Sequence, residues 1–263
     1  MSFHFLSIER RGAVEYVTLN RPDVRNALNE HVIDDLTRWA RGAHEDPTLR
    51  VVVFAGAGKV FSAGADAAWM AKMAGYSRED NVRDATAGAE MFLAINTIPA
   101  IVIGRIQGAA LGGGSGLAAV CDLVVAETAA VFGFTETKLG ILPAMISPYV
   151  IQKIGVSAAR ELFLTGSRFN AARAKEIGLI HAVVSADQLD VTVTNYVREA
   201  LSASPTAVAR AKALIPKVAG RAPADVMAIT AEAIAAQRVS AEGQDGLNAF
   251  LNKGTPDWVE EPQ

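Results

Sequence analysis

Two short runs are rich in glycine and could present main-chain N–H groups to a ligand: FSAGAD at residues 61–66 and GAALGGGSG at residues 108–116. Each closely follows an apolar stretch that reads as a buried strand, Arg50 to Ala55 and Ala100 to Arg105. Glycine at such a place allows positive φ and lets a ligand approach the backbone without side-chain obstruction. The N–H groups left free there can face an anion, above all where a helix starts just beyond. Either run alone reads as a tight strand-to-helix turn; two in one chain shift the odds toward a site that presents backbone N–H groups to a ligand.

Other chemistries fail on spacing. A phosphate loop around Gly56-Ala57-Gly58-Lys59 needs glycine at 53 and Ser or Thr at 60, and both positions are valine. Ser115 sits in GGGSGL, where a hydrolase elbow requires glycine at 117 and the chain has leucine. His4, His31, His44 and His181 show no paired-ligand spacing, so no metal site is expected. The single cysteine, Cys121, cannot form an internal disulfide and reads as a buried, inert thiol within VCDLVVA. With 25 basic and 28 acidic residues intermixed, a net charge of −3 gives no field that favours nucleic acid. Any phosphate-bearing ligand must be held by local groups.

The elements that position the glycine runs follow from patterning. Phe5 to Arg10 and Ala13 to Leu19 alternate like two strands of a hairpin turned at Arg11-Gly12. Behind Asn29, a candidate N-cap, Val32, Ile33, Leu36, Trp39, Ala40 and Ala43 recur at helical spacing. A helix is expected over about Arg83 to Asn96, another from Gly113 onward, and a strand over Leu123 to Ala126. Strands alternating with helices imply an α/β core. After about residue 186 strand signals fade, and Ala207 to Ile215, Ala224 to Ala236 and Gly243 to Asn252 read as helices. The expected division is a core over 1–185 and a helical region over 186–263. The chain is long enough to bury most of its apolar surface. No run approaches the roughly 18 apolar residues of a membrane span. Met1 to Arg10 is charged and strand-like rather than a signal peptide, so a cytosolic protein is expected.

Five blocks carry a family resemblance in order and spacing: LNRPDVRNALN (19–29), FSAGAD (61–66), ALGGGSGLAAVCDLVVA (110–126), FTETKLGILP (134–143) and LTGSRFNAARAKEIGLIHAVV (164–184). They resemble the successive blocks of the enoyl-CoA hydratase/isomerase, or crotonase, family over nearly the whole chain. The resemblance implies an α/β fold, a superhelix of ββα units with a helical C-terminal trimerisation region, assembled as a homotrimer or dimer of trimers. It implies an acyl-CoA thioester as substrate, with coenzyme A part of that substrate and no separate cofactor. It places the N–H groups of Ala65 and Gly113 on the thioester oxygen, and Glu136 as the acid/base. It places CoA contacts at Arg25, Ala27, Ala63, Asp66, Ala67 and Ala68, and at Phe250 and Lys253 toward a neighbouring subunit. Typical hydratases of the family carry a further glutamate where this chain has Gly116; reversible hydration of a 2-enoyl-CoA is still the expected reaction, with double-bond isomerisation and CoA binding with little turnover as the alternatives. The stretch GILPAMISPYVIQKIG is similar to a bacterial branch described as methylglutaconyl-CoA or carboxygeranoyl-CoA hydratases. Such substrates bring their own carboxylate, for which Lys138, Ser147 and Tyr149, close to Glu136 in sequence, are candidate partners.

Overall fold

A computed structural model of the protein describes residues 3–260; Met1, Ser2 and residues 261–263, at the two ends of the expected core and helical region, lie outside the described residues. The chain opens on the expected hairpin, in which β1 (Leu6–Arg11) runs antiparallel to β2 (Val14–Leu19). Asn29 caps α1 (Glu30–Glu45), its side chain accepting from Val32 N at 3.0 Å, and the apolar stripe from Val32 to Ala43 is buried. There follow β3 (Val51–Gly56), α2 (Ala67–Met73), α3 (Arg78–Asn96), β4 (Ile101–Ile106), β5 (Ala109–Leu111), α4 (Gly113–Val120), β6 (Leu123–Glu127) and β7 (Val131–Gly133). A 3-10 turn at Glu136–Leu139 leads to α5 (Ser147–Thr165), β8 (Arg168–Asn170), α6 (Ala171–Glu176) and β9 (Ala182–Val184). Beyond the last strand run α7 (Leu189–Ser202), α8 (Pro205–Val218), α9 (Pro223–Arg238) and α10 (Ala241–Leu251).

The strands form two sheets. The larger has the order β1-β2-β3-β4-β6-β9, parallel except for the hairpin, and the smaller has the order β5-β7-β8. Parallel strands must be covered on both faces, and the register shows how. Val52, Phe54, Val102 and Ile106 point into a core with Leu36 and Trp39 of α1, Met91 and Phe92 of α3 and Leu117 of α4. Val51, Val53, Ile103 and Val125 point the other way, against Leu189, Val193, Val197 and Leu201 of α7. The apolar residues of β3 and β4 thus serve two cores at once.

Two cations, the buried Arg50 and the half-buried Lys212, tie the helical end of the chain to this sheet. Arg50, 8% exposed, donates to the carbonyl oxygens of Leu201 and Ala203 at 2.7 Å each and of Trp258 at 2.5 Å. Lys212 of α8 reaches Asp122 Oδ2 at 2.6 Å and Ala100 O at 3.1 Å.

Several elements differ from their expected limits. α3 begins at Arg78 rather than Arg83, because Ser77 and Asp80 form a reciprocal capping box. α2, α5, α6 and α7, and the three-residue strands β5, β7, β8 and β9, carry no expectation from patterning; α5 is kinked at Gly155, with φ 70°. Cys121 is buried, and burial pushes its thiol up to about 12. Among the described residues no helix is long and apolar enough to cross a membrane, and no cluster of His, Cys, Asp or Glu is placed to hold a metal ion.

Candidate active site

The two glycine runs lie side by side because the parallel sheet delivers both at the same end. Ser62 bridges to Ala110, with Ser62 N donating to Ala109 O and Leu111 N to Ser62 O, each at 3.0 Å. The backbones pack with no side chain between them. A Cβ on Gly64 would stand 2.7 Å from Leu111 O, and one on Gly114 would stand 2.7 Å from Ser62 O. Gly64 also has positive φ, 91°, so glycine is required there twice over, and Gly112 has φ 50°.

A third segment braces the first. Leu28 N donates to Gly64 O at 2.7 Å and Asp66 N donates to Leu28 O at 2.8 Å, which leaves the intervening Ala65 N–H without an acceptor among the described residues. Gly113 opens α4, where the first N–H groups of a helix have no intrahelical partner, and it too finds no acceptor among the described residues. Ser115 fixes this helix start: its hydroxyl donates to Ala110 O at 2.6 Å and accepts from Gly133 N at 3.3 Å. That buried hydroxyl is spent on structure, in keeping with its failure as an elbow nucleophile.

Glu136 arrives from the other side. Its 3-10 turn is closed by Gly140 and held to α5 through Thr137 Oγ1, which donates to Phe163 O at 2.8 Å. A Cβ on Gly112 would stand only 3.3 Å from Glu136 Oε1, which puts the carboxyl against the α4 N-cap, next to Gly113. The other oxygen, Oε2, is buried with no hydrogen-bond partner among the described residues. Burial pushes the carboxyl above the usual carboxylate range, and no charged side chain offsets it. Two free N–H groups and one half-buried, proton-avid carboxyl therefore share a small region, an arrangement suited to stabilising an enolate while a proton moves.

Gly116 lies one turn into α4, and its missing side chain has been replaced. A Cβ there would stand 2.2 Å from Ile146 Cγ2 and 3.1 Å from Phe92 Cε1. The position is filled with hydrocarbon, and a glutamate cannot enter without moving Ile146.

The remaining expected contacts divide into two groups. Arg25, Ala27, Ala63, Asp66, Ala67 and Ala68 are brought together, since Ala63 N donates to Arg25 O at 2.9 Å and 25–28 runs beside 63–66. Arg25 is exposed with φ 57°. The Asp66 carboxylate faces inward: it caps α2 through Ala68 N at 2.8 Å and pairs with Arg21 Nη2 at 2.9 Å. Burial works against its charge, yet the Arg21 guanidinium and the Ala68 and Trp69 N–H groups together hold its pKa below the usual range. Phe250, 80% exposed, and Lys253 stand apart at the end of α10, which packs on α8 and α9 rather than on the glycine runs. Of the candidates near Glu136, Ser147 turns its hydroxyl to Ala144 O at 2.8 Å, and Tyr149 packs its ring on Phe92 with centroids 6.2 Å apart. Lys138 is exposed and lines a cavity of about 450 Å³ with Arg168, Thr135, Leu139 and Gly166.

Sequence reasoning missed the residues that hold these loops. Asn26, 1% exposed, accepts from Arg21 N and donates to Ala57 O and Val60 O; Ser62 Oγ donates to Asn26 O at 2.9 Å. An asparagine between two apolar-facing turns gives no periodic signal. Ile146 and Phe92 were invisible for another reason: their role appears only against Gly116.

The sequence pattern that defines the family described as enoyl-CoA hydratase/isomerase matches residues 9–261. The chain is 34% identical over 211 residues to an enoyl-CoA hydratase of Alternaria alternata, covering 80% of this chain and 68% of that one. Its fold is similar to the crystal structure of an enoyl-CoA hydratase from Shewanella pealeana, with TM-score 0.94 and 37% identity over 97% of this chain and 96% of the other. It is likewise similar to an enoyl-CoA hydratase/isomerase from Marinobacter aquaeolei, with TM-score 0.91 and 36% identity over 97% and 99% of the two chains. The mixed α/β architecture with its helical C-terminal region is the crotonase fold that the sequence blocks implied. Pattern, fold and the paired glycine runs lead to one conclusion: the chain is an enzyme of the enoyl-CoA hydratase/isomerase family.

Proposed function

We propose that the protein is an enoyl-CoA hydratase, adding water reversibly across the 2,3 double bond of a 2-enoyl-CoA thioester. The observation that carries this reading is the meeting of two acceptor-free N–H groups, Ala65 and Gly113, with the half-buried Glu136 carboxyl. The N–H groups take the thioester oxygen. Glu136, as carboxylate, removes a proton from water as the oxygen adds at Cβ, and the electrons shift through Cα to the thioester oxygen. The same carboxyl then returns the proton to Cα. Preorganised donors favour the charged intermediate over the neutral substrate, and each is worth about 3 kcal/mol. Coenzyme A enters as part of the substrate, and the steps above call on no separate cofactor.

The CoA moiety is assigned to the surface made by Arg25, Ala27, Ala63, Asp66, Ala67 and Ala68. Phe250 and Lys253, remote from the site of their own chain, are assigned to a neighbouring subunit's CoA in a homotrimer or dimer of trimers. Exposed apolar side chains on α8 to α10, among them Ile215, Met227, Leu247 and Leu251, support such an assembly. The finer substrate assignment is a branched glutaconyl-CoA, with Tyr149 or Lys138 available to its carboxylate. A second reading, movement of the double bond by the same glutamate, is favoured by the hydrocarbon packed at Gly116, where a second water-holding carboxylate has no room.

The test follows the ultraviolet absorbance of the conjugated thioester with crotonyl-CoA and 3-methylglutaconyl-CoA separately. Loss of absorbance with either is expected for the wild type, and Glu136→Gln is expected to fold and lose at least ~10²-fold in rate. Undiminished absorbance with both substrates, together with conversion of a 3-enoyl-CoA, would choose isomerisation instead.

A further inference from the structure

α4 is bare on its inner side at two successive turns. Gly112 and Gly116 are four residues apart, about 6 Å along a helix. The Glu136 carboxyl covers the first at 3.3 Å from a hypothetical Cβ, and Ile146 covers the second at 2.2 Å. The acid and the aliphatic group thus cover two successive bare positions along one helix. Ile146 is 2% exposed, and its carbonyl accepts from Val150 N at 3.0 Å as α5 begins. Its neighbour Met145 is seated the same way, with Sδ 2.6 Å from a hypothetical Cβ on Gly88 of α3. Two glycines on two helices therefore receive two consecutive side chains from the turn that links Glu136 to α5.

We propose that Ile146, seated on Gly116 and backed by Phe92, is a positioning residue that keeps bulk water and any second polar group out of the Gly116 side of the site, so that Glu136 meets only the reacting water and a single carboxyl performs both proton transfers. The proposal rests on the reading of Glu136 as the acid/base. Its logic is solvation: a carboxylate beside hydrocarbon loses hydration, which raises its proton affinity and makes it a better base near neutral pH. The elements around Glu136 supply no counter-charge to undo this. α4 has no ionisable residue. Lys138 on the same turn is exposed and, with Arg168 of β8, lines a cavity, and neither makes an ion pair with Glu136. On α3, Asp84 is engaged by Trp69 Nε1 at 3.2 Å; on α5, Lys153 donates to Cys121 O at 2.6 Å and Tyr149 lies against Phe92.

The experiment measures kcat and KM for crotonyl-CoA against pH in the wild type and in Ile146→Val, Ile146→Thr and Ile146→Asn, with Glu136→Gln alongside. The polar substitutions are expected to move the acid limb of kcat down by about one pH unit, with KM little changed, while Ile146→Val keeps the wild-type profile. An unmoved limb in a folded Ile146→Thr or Ile146→Asn protein, with Glu136→Gln inactive, would overturn the proposal and leave the assignment of Glu136 standing. Glu136→Gln at wild-type rate would overturn both. Seating is read separately from thermal midpoints: Gly116→Ala is expected to destabilise the wild type strongly and the Ile146→Ala background much less. Equal losses in the two backgrounds would show that Ile146 does not occupy the place of a side chain at 116, and the proposal would fall.

Discussion

Glu136 is held in a state that favours chemistry over stability. Burial raises its folded pKa above the unfolded value, so between those two values the folded protein keeps a proton that the unfolded chain has released. Stability from this group is therefore full below the unfolded pKa, falls as pH rises through the window, and stays reduced above it. Glu136→Gln removes the titration, and is expected to be more stable than the wild type at neutral pH by on the order of 1 kcal/mol, with a smaller gain near pH ~4. Urea unfolding at the two pH values measures this, and an equal gain at both would contradict the sign. Glu136 was legible only through its sequence block, since one glutamate among 28 acidic residues has no signature of its own. The two glycine runs were legible directly, because a turn that brings backbones within contact leaves glycine no substitute. Asn26 and Ile146 were not, because each acts through a partner distant in sequence.

At the scale of elements, α4 shows how a short helix becomes part of the chemistry. Its N-cap, Gly112, sits at φ 50°, ψ −120°, a conformation open to glycine, with Glu136 Oε1 directly above. Gly112→Ala is expected to lower kcat by ~10²-fold or more, with CoA affinity much less affected, because the Gly113 N–H and the carboxyl are both displaced. Ser115→Ala, on the same helix, should instead cost roughly 1 kcal/mol in stability and leave kcat nearly unchanged. Comparing kcat with the urea midpoint for the two variants tests that division. Elements with a strong single period, such as α1 with its Asn29 cap or the buried β3, could be read from the sequence. The three-residue strands of the small sheet could not, since β5, β7 and β8 are too short to show alternation and exist only by pairing. α7 escaped for a related reason: its apolar stripe, Leu189, Val193, Val197 and Leu201, is interleaved with threonine and asparagine and makes sense only against the second face of the sheet.

Over the whole molecule, the sheet is shared by two cores and the helical end of the chain is bolted to it by Arg50. That guanidinium serves carbonyl oxygens at 201, 203 and 258, and its Nε is buried without a partner among the described residues. Arg50→Met is expected to lower unfolding stability by about 1–3 kcal/mol and to make the segment around Trp258 sensitive to protease, while leaving the KM for an enoyl-CoA near the wild-type value. Protection of that segment equal to the wild type would argue against the clasp. The same contact also sets an order of events during synthesis. β3 is made early, yet the cation at its threshold lacks the Trp258 carbonyl and the Glu260 carboxylate until the far end of the chain has been made. A nascent chain that collapsed on its first strands would bury a guanidinium without these partners, a cost that works against the α/β part settling ahead of the helices that follow it.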